Sequence, residues 1–323
     1  MSDQIEPLRT ARIGEVTSAP PEGRWLVRSL WPYGAVGVLC GSPKACKTWL
    51  GLDLALSIAS GTPCLGAFPV EQPGPVLAYL AEDGLDRTRE RVDGMARHRG
   101  VEVHSLDLRF ITEPTLKLDV LRDIDRLFRT VEMHRPRFLL LDPLVRLHTL
   151  NENDAGAVSA VLALLRSLQR NFDVAVALVH HARKNGRTTT GEALRGSGEI
   201  YAWGDTFGFM QRTQDALRLH LEHRHERPIE PILLRLISRP DGSCPHLEIA
   251  QPTEQPQPTG LHDSILAALP AGGGPLTRGA LRALLRINNN RLGVALSDLE
   301  QRGVIARTPQ GWVAQVPAYR STP

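Results

Sequence analysis

Residues 35–60 read AVGVLCGSPKACKTWLGLDLALSIAS. A short apolar run rich in valine stops at Gly41, a polar turn follows, and an apolar helical pattern begins at once. No other feature constrains the chain as much, because a buried strand, a tight turn and a helix in immediate succession are the entry into an open α/β sheet. Within the turn, Gly41, Ser42, Pro43, Lys44, Ala45, Cys46, Lys47 and Thr48 follow the pattern G-x-x-x-x-G-K-[ST], except that Cys46 stands at the second glycine. In that pattern the amides of the helix N-terminus hold phosphate groups, the lysine reaches the outer phosphates and the hydroxyl ligates Mg²⁺. Lys47 and Thr48 are therefore candidate phosphate and magnesium residues.

The apolar runs GPVLAYLA (74–81), RFLLLDPL (137–144) and DVAVALVHH (173–181) read as further buried strands. Amphipathic patterns alternate with them: LDRTRERVDGMARH, LDVLRDIDRLFRTVEMH and AVSAVLALLRSLQRN. Strands alternating with helices predict a mainly parallel sheet. The later segments DTFGFMQR, ALRLHLEHRH and PILLRLIS alternate as antiparallel strands that close one edge.

Ligands of open α/β sheets bind beyond the carboxyl ends of the strands, and chemistry-bearing residues collect there in this sequence. The third run delivers Asp142, suited to hold a magnesium-bound water. The second delivers Glu82 and Asp83, either of which could accept a proton from an attacking water. The fourth delivers His180 and His181, placed to sense a terminal phosphate or its loss.

As a set, CGSPKACKTW, YLAEDG, LLLDPLVRLH, LVHHARK and ALRGSG resemble the RecA-type ATPases grouped around the plasmid RepA hexameric helicases, over roughly residues 25 to 240. The resemblance implies a RecA-like core that hydrolyses ATP with Mg²⁺ at the subunit interfaces of a homo-oligomeric ring. It assigns Lys47 and Thr48 to phosphate and metal, Asp142 to the metal-supporting carboxylate, Glu82 to the catalytic base and His181 to the switch. It also implies an arginine supplied by the neighbouring subunit. LRLHLEHRHERP offers Arg224 and Arg227, of which Arg224 is favoured, and Arg195 is a further candidate.

Cys46 departs from the pattern. Glycine lets the backbone approach the phosphates closely, whereas a Cβ and a sulfur crowd that approach. The lysine, hydroxyl and carboxylates remain, so nucleotide binding is expected to persist with slower turnover. A thiol at a helix N-terminus beside a lysine also raises redox control, through a lowered pKa and Cys40 as partner.

Composition bounds the rest. With 323 residues, 42% hydrophobic and 23% charged, the chain reads as a globular protein of more than one domain, without an eighteen-residue apolar run or a secretory signal. Cys40, Cys46, Cys64 and Cys244 form no C-x-x-C pair, which points to a reduced, cytoplasmic protein without structural zinc. QPTEQPQPTG (251–260) reads as a linker. It separates an arm (1–24) and an ATPase domain (25–250) from a C-terminal module (261–318). The net charge of +3 is unevenly spread: from Thr259 onward seven arginines face three acids, a balance of +4, so the preceding residues sum to −1. LHDSILAALP, TRGALRALLR and NNRLGVALSDLEQRG predict three short helices, and GVIARTPQGWVAQV predicts a hairpin, which together resemble a winged helix-turn-helix. Asn289, Asn290 and Arg291 at the start of the third helix, with Arg307 near the wing, are the candidate DNA contacts. The composite reading is a ring-forming ATPase acting on DNA, with other replication proteins as possible partners. The alternatives are a nucleotide-switched DNA-binding regulator and a scaffold that does not unwind DNA.

Overall fold

A computed structural model describes residues 10–15, 23–150, 155–181, 198–212, 216–227, 229–238, 244–250, 261–269, 274–285 and 287–315. The chain divides into two compact units, Met1–Gln251 and Pro252–Pro323. The segment 251–260, Arg195, and the loop after Leu150 lie outside the described residues.

In the first unit the strands are β1 (Trp25–Val27), β2 (Trp31–Pro32), β3 (Val36–Gly41), β4 (Val76–Leu80), β5 (Leu108–Phe110), β6 (Phe138–Asp142) and β7 (Ala175–His181). They are followed by β8 (Thr206–Arg212), β9 (Leu217–His223), β10 (Ile232–Ile237) and β11 (His246–Ile249). The helices are α1 (Lys47–Ser60), α2 (Leu85–Arg99), α3 (Leu121–His134), α4 (Ala155–Phe172) and α5 (Gly198–Trp203). β1 and β2 pair as a small ribbon. The other nine strands form one sheet in the order β11-β10-β9-β8-β3-β7-β6-β4-β5. From β8 to β5 all neighbours are parallel, and β9, β10 and β11 continue the sheet antiparallel.

The sheet is mainly parallel, as the alternation of strands and helices predicts. One detail differs. DTFGFMQR is antiparallel to β9 but parallel to β3, so it closes the parallel block and does not belong to the antiparallel edge alone.

Period-two alternation splits the buried strand residues between two apolar layers. Leu39, Ala78, Leu140 and Val179 face α1, whose Leu50, Leu54 and Ile58 complete that layer. Val38, Leu77, Leu141 and Leu178 face the other way, onto Leu127 and Val131 of α3 and Val161, Leu162 and Leu165 of α4. Helix α1 ends at Gly61, whose φ of 74° forms a left-handed cap with its amide bonded to Ser57 O. These layers hold the carboxyl ends of β3, β4, β6 and β7 together at one rim.

In the second unit, α6 (Leu261–Ala268), α7 (Arg278–Leu285) and α8 (Asn289–Gln301) precede an antiparallel hairpin, β12 (Ile305–Thr308) and β13 (Gly311–Ala314). Ile265, Leu281, Leu292, Leu296, Leu299 and Ile305 form its own core. Among the described residues no helix is long and apolar enough to cross a membrane.

Candidate nucleotide site

The turn between β3 and α1 is held in an unusual backbone. At Gly41 φ is 150°, and a Cβ there would stand 2.1 Å from Met210 O, so only glycine fits beside β8. Lys44 and Cys46 are both left-handed, at φ 64° and 60°. Cys46 is the N-cap of α1, with ψ 27° and no capping side-chain bond. A left-handed L-residue costs about 1–2 kcal/mol, so the position keeps the backbone that glycine would supply and carries the strain of a Cβ. Immediately beyond, the amides of the first turn of α1 have no acceptor within their own helix.

Lys47 and Asp142 are buried at 4% and 6% exposure. The Lys47 ammonium donates to Gly41 O at 3.0 Å and Ser42 O at 2.8 Å, which curls the turn around it. Burial lowers its pKa, and the Asp142 carboxylate opposes that shift. Burial pushes the Asp142 carboxyl up to about 6, against the hydrogen bond from Thr48 and the charge of Lys47. Asp142 Oδ2 is buried with no hydrogen-bond partner. Leaving a buried acceptor unsatisfied costs about 1–3 kcal/mol, so an oxygen in that state marks a place built for an added positive charge.

The two carboxylates after β4 separate by their partners. Asp83 is gripped by Arg91, with contacts of 2.5 and 3.4 Å, and the Arg91 guanidinium lies 5.3 Å from the Trp49 ring centre. Glu82 is half exposed, accepts from Arg146 Nε at 3.0 Å and lies 4.0 Å from His181 Nε2. Glu82 is thus the carboxylate with an accessible face. With Lys47, Thr48, Asp142 and His181 it lines an open cleft of about 370 Å³ at the carboxyl ends of the strands.

Arg212, at the end of β8, also lines this cleft. It donates to Lys44 O at 3.1 Å and lies 4.0 Å from Cys46 Sγ. No local pattern marks it. Its place follows from the parallel pairing of β8 with β3, which sets Met210 against Gly41. Arg146 likewise reaches Glu82 only because β6 lies beside β4.

Arg224 stays at the other end of the sheet. Its guanidinium binds Ala202 O and Asp205, the latter at 3.5 Å, and β9 carries it away from the rim where β8 ends. The thiol chemistry also differs from expectation. Burial raises the Cys46 pKa, and Arg212 and Lys47 only partly offset it, so the thiol is not an activated one. Cys40 is fully buried on β3, and its thiol is raised further by desolvation.

The residues fit a hard divalent cation and a polyphosphate. A hydroxyl, a buried carboxylate with an unpartnered oxygen, and a facing carboxylate are the oxygen donors Mg²⁺ takes, usually with retained waters. Lys44, Lys47 and Arg212 supply positive charge along the same wall.

Comparison with known proteins agrees with this architecture. The RadB recombinase structure superposes with a TM-score of 0.50 at 18% identity, over 68% of this chain and 92% of that one. A DnaB-like replicative helicase, solved with its primase interactions, gives 0.49 at 14% identity, over 68% of this chain and 58% of that one. The fold is that of the RecA-type P-loop ATPases. A family model described as an AAA domain matches residues 3–187, and the chain belongs to that family.

Proposed function

We propose that this chain is an ATP-hydrolysing motor that acts on DNA as a homo-oligomeric ring, in the manner of RepA-like hexameric helicases. The observation that carries the reading is Asp142 Oδ2, a buried, unpartnered carboxylate oxygen beside Thr48 and Lys47 with Glu82 facing the same cleft. A site for binding alone has no use for an accessible carboxylate opposite a metal-ready one.

In this reading Lys47 and the first-turn amides of α1 hold the outer phosphates, and Thr48 and Asp142 hold Mg²⁺. When bound, the ion neutralises phosphate charge. Glu82 orients water and takes its proton as the water oxygen attacks the terminal phosphorus and the bond to the ADP oxygen breaks. Arg146 and His181 position Glu82, and the His181 contact is the means by which the state of the terminal phosphate reaches β7. Arg212 adds a cation beside the loop. The arginine from a neighbouring subunit remains a role for the segment around Arg224.

The C-terminal unit is read as a winged helix that contacts DNA. Three helices followed by a hairpin support this, as do the exposed Asn289 at the start of α8 and the exposed Arg307, which lies over Trp312 at 5.9 Å. Asn290 and Arg291 belong to the same first turn of α8. A nucleotide-set regulator is the second reading, favoured by the strained Cys46, whose Cβ crowds the approach to phosphate.

ATP turnover by the full chain, with and without single-stranded DNA, and unwinding of a forked duplex distinguish the two. DNA-stimulated hydrolysis with unwinding is the expected result. Sequence-selective duplex binding with no stimulation and no unwinding would replace the motor by the regulator.

A further inference from the structure

A second cluster of ligating side chains lies away from the nucleotide cleft, where α2 packs on the edge strand β11. His98 occupies the last turn of α2, and His246 and Glu248 stand two apart on β11. The period of a strand points these last two to the same face. One donor atom from each of the three lies within 4.8 Å of the others.

The hydrogen bonding of His246 makes this cluster informative. Its Nδ1 is 2.7 Å from Cys244 O, and a carbonyl only accepts, so Nδ1 carries the proton. In the neutral ring Nε2 then presents a lone pair. That atom sits 2.7 Å from Glu248 Oε1, also an acceptor when ionised. Two lone pairs at that distance repel unless a proton or a metal ion stands between them.

A third donor lies beside the pair. His98 Nε2 lies 3.8 Å from the same Glu248 oxygen, and its ring stacks on His246 with centres 3.5 Å apart. A shared proton needs only the first two side chains, whereas a metal ion takes all three donors. We propose that His98, His246 and Glu248 form a divalent transition-metal site of the zinc class, which ties the end of α2 to the edge of the sheet.

The dimensions suit this assignment. Tetrahedral zinc bonds of roughly 2.0–2.2 Å place neighbouring donors about 3.3–3.6 Å apart, between the 2.7 and 3.8 Å separations observed. The donors all lie within 4.8 Å of one another, and the His98 ring tilts out of its stack to bring its lone pair to the ion. His98 and Glu248 are 42% and 38% exposed at their side chains, so they can move. A cavity of about 400 Å³ bordered by all three residues gives the ion an entry path and room for a water as fourth ligand. The Cys244 carbonyl on His246 Nδ1 is the outer contact that fixes the tautomer of a ligating histidine. Two imidazoles with one carboxylate favour zinc, cobalt or nickel over magnesium.

The test is titration of the chelator-treated full chain with Co²⁺, followed by the visible absorption of the bound ion, and displacement by Zn²⁺. The expected result is one Co²⁺ per chain with a tetrahedral spectrum. His98→Ala and Glu248→Gln should each weaken binding by about tenfold or more. Zinc should raise the melting temperature of the wild type and leave that of both variants unmoved. Failure of the wild type to bind at micromolar metal would assign the contact to a proton shared by His246 and Glu248 and overturn the site. Undiminished binding in both variants would place the metal elsewhere and overturn it equally.

Discussion

The two ends of the central sheet handle charge in opposite ways. At the amino end of β8, Asp205 is fully engaged: Arg166 donates to it at 2.6 and 3.2 Å, Arg224 lies at 3.5 Å and the Val36 amide donates at 3.2 Å. At the carboxyl ends of β3 and β6, Asp142 keeps an unpartnered buried oxygen and Lys47 spends its donors on the carbonyls of its own turn. The same layers support both ends. The difference teaches that a satisfied charge cluster is a strut, whereas a buried charge left short of partners is retained at a cost in stability for a ligand that completes it.

Substitutions at the two ends should therefore fail in different assays. Lys47→Ala should lower kcat/KM for ATP by about 10²–10³-fold, as loss of a charge-stabilising donor does, with the melting curve little changed. Asp205→Ala should do the reverse, destabilising the fold by about 2–3 kcal/mol in urea through the stranded Arg166 and Val36 amide, while turnover per folded molecule holds. If Asp205→Ala left stability intact, or abolished turnover in folded protein, the contrast between the ends would collapse.

The pH dependence sharpens the same contrast. Asp142 must be ionised to hold a cation, and its carboxyl titrates at about 6, so kcat/KM should fall about tenfold per pH unit below that value. The stability term has the opposite sign. A carboxyl whose folded pKa lies above its ordinary 3.8 binds its proton more tightly in the native state, so its contribution declines as pH rises from about 4 to about 6. Activity rising across the interval in which ligand-free stability declines, by at most about 3 kcal/mol, is the signature expected. An acid limb unchanged in Asp142→Glu or displaced well below pH 5 would remove Asp142 from the role.

The smallest effect concerns Cys46. Cys46→Gly relieves a left-handed Cβ but loosens the unfolded chain, and the two terms nearly cancel, leaving stability within about 1 kcal/mol. Turnover should rise. Cys46→Val, branched at Cβ, should lower both, and thermal melts beside ATP turnover check the pair.

Much of this site was legible along the chain because its parts are local. A strand, a turn and a helix in succession place Lys47 and Thr48, and apolar runs that end in Asp142, Glu82 or His181 bring each to the same rim of a parallel sheet. What was not legible depends on pairing between distant segments. Arg212 reaches the phosphate loop only because β8 lies parallel to β3, and Arg146 reaches Glu82 only because β6 lies parallel to β4. The short strands β5 and β11 carry too few residues to show a period, and with β11 went the meeting of His246 and Glu248 with His98. The Cys46 thiol misled for a related reason: helix terminus and lysine both suggest activation, but burial outweighs them.

The most direct test of the central claim is to measure ATP binding and ATP hydrolysis on the same preparation of Glu82→Gln and of wild type. Nucleotide affinity should be retained while turnover falls by about 10²–10⁴-fold, as loss of a general base requires. Hydrolysis that survives in Glu82→Gln, or a wild type that binds ATP and never turns it over, would contradict the account.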